Sequence, residues 1–325
     1  MGFALTFFAR RLAQGVLIVL LVSFTIFALL RVVPGDPARI ILGPMATDEV
    51  VEQTARDMGL RDPIPLQYMR YLGQLAKGDF GTSFIKARGG GSMGGGRDEA
   101  RGERARVLDL VAETLPLTLR LAGLALVFTA LIALPLGIAG GLMAGRWPDK
   151  LALYASSIFV SLPNFWLAIV LALVVTAKLG WIPSIGYQNI AYAILPAFVI
   201  AIEMSPLFIR SLSVSIADTM RHPFVELAQV RGLSPGRIFS RHVLRNAAVP
   251  VLNLFGVQIG ALLGGVLIVE YIFDYPGFGL LTVQAVLQRD FPVIQGIAII
   301  STSIFVVINI LVDFVSAQID PRIEY

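Results

Sequence analysis

The 325-residue sequence contains no cysteine and only two histidines. Without thiols the chain has no disulfide bond, thiolate nucleophile, iron–sulfur cluster or cysteine-ligated zinc site. The two histidines, His222 and His242, fall on different predicted helices, and no set of acidic ligands accompanies them. The sequence therefore predicts no metal site and no cofactor in this chain.

Charged residues are also scarce. They make up 15% of the chain, against about 25% in a typical soluble domain. Hydrophobic residues make up 56%, and the mean hydropathy is +0.77. A soluble protein this apolar could not cover its surface with polar groups, so the excess must face lipid. The composition indicates a polytopic membrane protein and excludes both a disordered chain and a secreted disulfide scaffold.

Lysine is scarce, and none of the four lysines follows a glycine. A phosphate-binding P-loop needs Gly-Lys-Ser/Thr, so any ATP hydrolysis must be supplied by another chain. The net charge is only +4, and the basic residues are spread over loops. This distribution is typical of membrane topology rather than of a nucleic-acid surface.

Six stretches reach the length of about 20 apolar residues that spans a bilayer as helix. We therefore expect an all-α polytopic protein with six transmembrane helices. The first stretch exceeds the apolar core of a signal peptide, and no small-residue cleavage site follows it, so we expect a retained anchor. The predicted spans are Leu12–Leu30, Leu115–Met143, Leu151–Leu179, Ile190–Ile209, Ala247–Val269 and Val293–Val315.

The orientation follows from the basic residues of the short loops. With the N-terminus inside, the inner segments carry eleven lysines and arginines, whereas the short outer loops carry only Lys178 and Arg289. Positive charge accumulates on the cytoplasmic side. Both termini are therefore expected in the cytoplasm.

The spans divide the chain into three regions. Residues 1–32 hold the first span, residues 33–113 form an extracytoplasmic loop region, and residues 114–325 form a five-helix core. In the outer loop, Thr47 and Gly59 are typical of the start and end of one helix, and a second helix is expected from Pro65 to Gly78. Their polar surfaces, Asp48–Met58 and Pro65–Lys77, are predicted docking sites for a partner.

A glycine-rich stretch interrupts the outer loop at residues 87–106. Its tract Gly89–Gly96 is expected to be disordered. Gly90, Ser92 and Gly94 spell a hydrolase-like G-x-S-x-G. That motif requires a strand before it and a helix after it. We expect neither here, so the match is attributed to chance.

The second hydrophilic region is the cytoplasmic loop 211–246. A helix is predicted from Pro223 to Gly232, and a second short helix begins at Ser234 and Pro235. The second helix carries a stripe of arginines at intervals of four, Arg237, Arg241 and Arg245. These helices suit either a docking surface for a cytoplasmic partner or an interfacial helix whose arginines meet lipid phosphates.

Two kinds of residue stand out within the spans. Consecutive G-x-x-x-G steps, which let helices approach closely, occur at Gly256, Gly260 and Gly264 and at Gly137, Gly141 and Gly145. We expect both sets to pack helices. Asn253 and Gln258 could line a polar route or bridge helices.

Glu203 is an acid inside the fourth predicted span. An ionisable group there is costly unless it is paired or faces water. Glu203 could therefore line a pathway and meet the amino terminus of a peptide, or it could be the structural partner of an arginine or another polar group.

The predicted cytoplasmic helix carries a known signature. Glu226-Leu227-Ala228-x3-Gly232 resembles the E-A-A-x3-G loop through which permeases of ABC importers contact their ATP-binding subunits. Leucine stands here at the second position of the motif, where the family has alanine. The resemblance assigns ATPase coupling to Glu226, Leu227, Ala228, Arg231 and Gly232.

Further motifs resemble those of the B-type permeases of dipeptide and oligopeptide ABC importers. They occur in the same order around six spans, and the resemblance extends over nearly the whole chain. The stretch 87–106 departs from that pattern and looks like an insertion. The motifs are Gly35-Asp36-Pro37, Gly78-Asp79-Phe80-Gly81-Thr82-Ser83, Ser161-Leu162-Pro163-Asn164-Phe165, Tyr275-Pro276-Gly277-Phe278-Gly279, Arg289-Asp290-Phe291-Pro292 and Asp320-Pro321-Arg322.

The resemblance implies a type I ABC-importer permease fold in the bacterial plasma membrane. It implies a homologous second permease, two ATP-binding subunits or domains and an extracytoplasmic peptide-binding protein as partners, besides membrane lipid. The implied cargo is a dipeptide or oligopeptide, with nickel chelates and glutathione as alternatives. A proton-coupled secondary transporter using Glu203 is a second hypothesis. An intramembrane enzyme is a third, but no catalytic constellation supports it.

Overall fold

The computed structural model describes residues 2–32, 35–87 and 104–319, and most of them are helical. Within these ranges, five helices are long and apolar enough to cross a membrane, and a bent pair makes a sixth crossing if it counts as one span. The all-α polytopic class is thus confirmed. The chain divides into two compact units, Met1–Leu117 with Pro276–Val306, and Thr118–Tyr275 with Val307–Tyr325. We refer to these as unit 1 and unit 2.

Unit 1 begins with the long helix α1 (Gly2–Val32), followed by the short helices of the outer loop. These are α2 (Pro37–Leu42), α3 (Asp48–Asp57) and α4 (Ile64–Leu75). Helix α3 begins directly after Thr47, as predicted, and the chain turns at Gly59 with φ of +68°. Helix α4 starts one residue before Pro65 and ends before the turn at Gly78.

Two short strands frame the glycine tract. Strand β1 (Thr82–Ala87) pairs antiparallel with β2 (Arg104–Arg106), and Ala87 lies opposite Arg104. The expectation that no strand precedes the tract is therefore wrong. The partner strand β2 lies beyond the intervening glycines, so no local sequence pattern indicates that β1 is a strand. The expected disorder of Gly89–Gly96 falls outside the described residues.

The core of unit 1 forms where three helices meet. They are the start of α5 (Val107–Leu142), helix α12 (Phe278–Gln288) and the start of α13 (Phe291–Ile319). Buried apolar side chains from each of them pack together, including Val107, Leu281 and Val293.

Unit 2 contains the rest of α5 and α13 and the helices that follow α5 up to residue 275. These are α6 (Trp147–Ser161), α7 (Asn164–Leu171), α8 (Ala191–Met220), α9 (Pro223–Val230), α10 (Pro235–Ile238) and α11 (Leu244–Ile272). A π-helical turn, Ala172–Lys178, extends α7, and another, Phe239–Val243, joins α10 to α11.

The third predicted span, Leu151–Leu179, is not one helix. Helix α6 and the extended α7 meet at an angle of 88°. The break lies at Leu162, whose backbone is extended (φ −91°, ψ 112°), and at Pro163. Proline disfavours the helical region for the residue before it and has no N–H to donate. The hydropathy of this segment is continuous across the break and therefore did not reveal it.

The cytoplasmic loop is shorter than predicted. Residues 211–220 continue α8, and residues 235–246 lead without interruption into α11. The predicted second short helix is thus the first part of a long one. In this part of the chain, only residues 221–234, which include α9, lie between the two long helices.

Glycines bring helices of unit 2 into close contact. A Cβ on Gly141 of α5 would lie 2.6 Å from Cβ of Ile216 on α8, and one on Gly137 would lie 3.0 Å from Cβ of Leu212. On α11, a Cβ on Gly256 would lie 2.8 Å from Cγ1 of Val312 on α13. Span five therefore packs within this chain at Gly256. Gly260 and Gly264 lie further along α11.

Candidate functional site

Helix α9 is fixed at both ends by local sequence. His222 precedes it with an extended backbone, and Pro223 occupies its first position. Proline suits that position because its φ is helical and no N–H is needed there. The rings of His222 and Phe224 stack at 5.7 Å.

The end of α9 is a Schellman turn. The N–H of Gly232 donates to the carbonyl of Gln229 (2.9 Å), and the N–H of Leu233 donates to the carbonyl of Ala228 (3.2 Å). Gly232 has φ of +75°, a left-handed conformation that favours glycine. The turn redirects the chain from α9 towards α10.

One face of α9 is buried between the two long helices. Val225 and Ala228 are the α9 members of a packed set that also draws on α8 and on the segment Pro235–Ile272. We call this set the α9 cluster. Its buried members are Leu212, Ile216, Val225, Ala228, Ile238, Val243 and Ala247. A displacement of α9 would therefore act on both α8 and α11, because protein interiors are close-packed and transmit strain.

The other face of α9 is exposed although much of it is apolar. Leu227 is 60% exposed and Val230 is 86% exposed. Glu226 and Arg231 are exposed beside them. Leucine at position 227 points away from the α9 cluster, so its size in place of the family's alanine costs no packing within this chain.

The predicted arginine stripe follows α9. Arg237, Arg241 and Arg245 are all exposed. The π-helical turn places Ile238 and Val243, five residues apart, on the buried side. The structure is compatible with either a protein or a lipid partner for the arginines.

Glu203 lies on the exposed side of α8 in unit 2. Its Oε2 accepts a hydrogen bond from Nδ2 of Asn164 (3.0 Å). Asn164 is the first residue of α7, directly after the break at Pro163. The break therefore positions the asparagine that meets Glu203.

Glu203 belongs to an exposed strip along α8. Five residues spaced by three or four share this side, so they lie on one helix face. The rest of α8 is largely buried, more so than the other candidate spans of the described residues. The strip carries both acidic and basic groups, which in a membrane face water or a protein partner. Its members are Glu203, Leu207, Arg210, Val214 and Asp218.

Two further predicted path residues lie on α11. Asn253 is exposed and Gln258 is partly buried. Helices α8 and α11 pack together, with the rings of Phe208 and Phe255 6.3 Å apart.

Two fully buried acids were not among the site residues predicted from the sequence. Glu270 of α11 is 0% exposed, and its Oε1 accepts a hydrogen bond from Oγ1 of Thr118 (2.6 Å). In unit 1, Asp290 accepts hydrogen bonds from the hydroxyl of Ser83 and from the N–H of Phe84 (3.0 Å). Ser83 and Asp290 each lie in a family-like motif, which was the only signal for this pair.

Asp290 ties strand β1 to the junction between α12 and α13. Lys86 lies close by, and its Nζ donates to Oε1 of Gln284 (3.0 Å). Burial lowers the pKa of Lys86, although Asp290 and Glu113 oppose the shift. The contacts anchor the outer loop to the core of unit 1.

Comparison with protein families gives two matches that together cover nearly the whole chain. Residues 133–325 match the family of binding-protein-dependent transport system inner membrane components. Residues 4–122 match the N-terminal region of such membrane components.

Individual relatives agree with the family match. The chain is 32% identical to the glutathione transport system permease protein GsiC of Salmonella paratyphi A (strain ATCC 9150 / SARB42) over 99% of both chains. The identity and coverage are the same for GsiC of Escherichia coli (strain K12). A chain of the MetNI methionine ABC transporter, solved in an inward-facing conformation, superposes with a TM-score of 0.55 at 16% identity. It covers 66% of this chain and 97% of that one, which shows a shared fold.

Proposed function

Because the chain belongs to the family of binding-protein-dependent transport system inner membrane components, it is a multi-pass permease subunit of an ABC importer in the inner membrane, and we propose that its cargo is a peptide. Membership of this family favours ATP-driven import over the proton-coupled alternative. The ATP is hydrolysed in partner subunits.

The proposed assembly pairs this chain with a homologous second permease. Two ATP-binding subunits lie on the cytoplasmic side, and an extracytoplasmic peptide-binding protein delivers the cargo. The exposed strip of α8 and the exposed face of α9 are surfaces available for such partners.

The main support for the proposal is that α9 has one buried face and one exposed face. Its buried face joins α8 to α11 through the α9 cluster, and its opposite face exposes Leu227 and Val230. We assign this exposed face to a cleft of an ATPase subunit. When the ATPases close, α9 would move with them and tilt the two long helices, which is the geometry that alternating access requires.

The proposed translocation path runs along the exposed strip of α8. Glu203 would meet the ammonium group of the incoming peptide, with Asn164 holding the carboxylate in place. Asn253 and Gln258 of α11 are assigned to the same route.

The proposed cargo class is supported by the motifs shared with peptide-importer permeases and by the glutathione permeases among the relatives. Glutathione is itself a tripeptide with a free ammonium group. It is the second candidate cargo within the same chemical class.

Reconstituted transport tests the cargo. The complete complex in proteoliposomes, with its binding protein, is offered radiolabelled dialanine, glutathione and a nickel–histidine chelate. We expect ATP-dependent uptake of dialanine or glutathione. Uptake of the nickel chelate alone would contradict a peptide cargo, and proton-driven uptake by this chain without the ATPases would contradict the ABC mechanism.

The substitution Glu203→Gln tests the path. Glutamine can still accept the bond from Asn164, so we expect the complex to assemble normally. Loss of the charge should lower uptake of peptides with a free amino terminus about tenfold, the scale of one charge-assisted hydrogen bond. Uptake of N-acetylated peptide should be unchanged. Initial uptake rates of both peptides measure the effect.

Asp218→Asn is the matched control, because Asp218 lies on the same strip near the inner end of α8. It should leave the preference for a free amino terminus intact. If both variants changed that preference equally, or if neither did, Glu203 would have no specific role in the path.

A further inference from the structure

Three arginines form an exposed stripe on the first turns of a membrane-crossing helix. Arg237, Arg241 and Arg245 are exposed, and they belong to the segment Pro235–Gly260, which is long and apolar enough to span a bilayer. After Arg245 the next charged residue is Glu270, so the stripe ends where the apolar part of the helix begins. A step of four residues rises about 6 Å. The stripe therefore extends about 12 Å from this edge towards the cytoplasm.

The π-helical turn Phe239–Val243 keeps the stripe straight. In an α-helix, a row of residues spaced by four drifts around the axis by about 40° at each step. The wider turn of a π-helix reduces that drift, and such turns are frequent at functional sites. Ile238 and Val243 are both buried although they are five residues apart. The turn thus holds all three arginines on the exposed side of the helix.

No acid neutralises the stripe within the part of the chain that the structure describes. The sequence has no acidic residue between Glu226 and Glu270. Asp218 and Glu226 are exposed on the neighbouring helices α8 and α9, but neither forms an ion pair with an arginine of the stripe. An unneutralised row of guanidinium groups favours an anionic partner, and its planar donors suit phosphate oxygens.

The position of the stripe favours a lipid over the surface of an ATPase. The face that we assign to the ATPase belongs to α9, and the Schellman turn at Gly232 separates α9 from the stripe. Leu244 lies between Arg241 and Arg245 in sequence and is also exposed. Exposed apolar and basic side chains on one helix suit the boundary between acyl chains and headgroups. Arginines at the end of a membrane-crossing helix extend towards that boundary.

We propose that the arginine stripe binds the phosphate groups of anionic phospholipids in the cytoplasmic leaflet. The guanidinium groups donate paired hydrogen bonds to phosphate oxygens, and the acyl chains pack beside Leu244. Bound lipid holds the first turns of the helix, whose Ile238, Val243 and Ala247 belong to the α9 cluster. Anionic lipid therefore steadies the packing that links α9 to α8 and α11. The proposal stands whichever cargo the importer carries.

Lipid crosslinking tests the proposal directly. The complete complex is placed in phosphatidylcholine nanodiscs that contain a minor fraction of phosphatidylglycerol with a photoactivatable group near its headgroup. Mass spectrometry then locates the lipid adducts on this chain. We expect adducts on residues 235–250, and few there from the matching photoactivatable phosphatidylcholine. In Arg241→Gln the phosphatidylglycerol labelling of this segment should fall about fivefold, the contribution of one arginine near an anionic leaflet.

Two further variants serve as controls. Arg241→Lys keeps the positive charge, so it should retain most of the labelling. Arg221→Gln removes an exposed arginine at the end of α8, outside the stripe. It should leave the labelling of residues 235–250 unchanged. All three variants should retain the ATPase subunits, because none of them alters α9.

Three results would overturn the proposal. Equal phosphatidylglycerol labelling of residues 235–250 in Arg241→Gln and wild type would mean that the stripe does not hold the lipid. Equal labelling by the two lipids in wild type would remove charge from recognition. Loss of the ATPase subunits in Arg241→Gln but not in Arg221→Gln, with lipid labelling retained, would assign the stripe to the ATPase instead. Uptake is measured separately, so failure here would not be mistaken for failure of the transport function.

Discussion

Gly232→Val is expected to abolish most ATP-driven uptake while the chain still inserts into the membrane. Gly232 has φ of +75°, and a β-branched residue forced into that region costs about 1–3 kcal/mol. The Schellman turn that ends α9 would rearrange, and the exposed face of α9 would lose its orientation. Uptake and ATP hydrolysis by the reconstituted complex measure the effect. We expect residual hydrolysis that is no longer coupled to transport.

Gly236→Val is the matched control, four residues further along. No atom lies within 4 Å of the place where a Cβ on Gly236 would stand, and its φ is not positive. Uptake should stay near the wild-type level. Normal uptake in Gly232→Val, or an equal loss of uptake in both variants, would show that the Schellman turn has no specific role in coupling ATP hydrolysis to transport.

Gly141→Val is expected to prevent stable folding of unit 2. A Cβ at this position would lie 2.7 Å from the carbonyl oxygen of Ser213 and 2.6 Å from Cβ of Ile216. Because one of these atoms belongs to the backbone, α5 and α8 would have to separate. Overpacking of this kind costs about 1–3 kcal/mol or more. The yield of monodisperse protein and its thermal midpoint should both fall sharply.

Gly123→Val on the same helix is the control for this prediction. Gly123 is exposed, and a Cβ there would meet no atom within 4 Å. Its yield and thermal midpoint should match those of the wild type. If Gly141→Val behaved like Gly123→Val, the contact between α5 and α8 would not be as close as described.

The local signals of the sequence predicted several elements well. Helix α3 begins after Thr47 and α9 begins at Pro223. A helix-starting proline acts within one turn, so its effect can be predicted from neighbouring residues. The break at Pro163 was missed because hydropathy is summed over a window of residues. Such a sum does not register the loss of one backbone hydrogen bond. The continuous path from α10 into α11 was missed because the basic residues suggested a boundary there.

The site was predictable only where its residues are neighbours in sequence. The motif from Glu226 to Gly232 forms one helix and its terminal turn, so its spacing alone located it. Contacts between distant residues left no such pattern. Ser83 and Asp290 meet only in the folded chain. Likewise, the position of Asn164 beside Glu203 depends on the bend between α6 and α7.

In the proposed assembly, α9 contacts the ATPase subunits and the outer loop faces the binding protein. The chain has no cysteine, so a single introduced cysteine is its only thiol and can carry a photo-crosslinker. Leu227→Cys on α9 and Met45→Cys in the outer loop replace side chains that are 60% and 95% exposed. Crosslinked partners in the assembled complex are identified by mass spectrometry. We expect ATPase adducts from position 227 only and binding-protein adducts from position 45 only. ATPase adducts from position 45 with none from position 227 would contradict this arrangement.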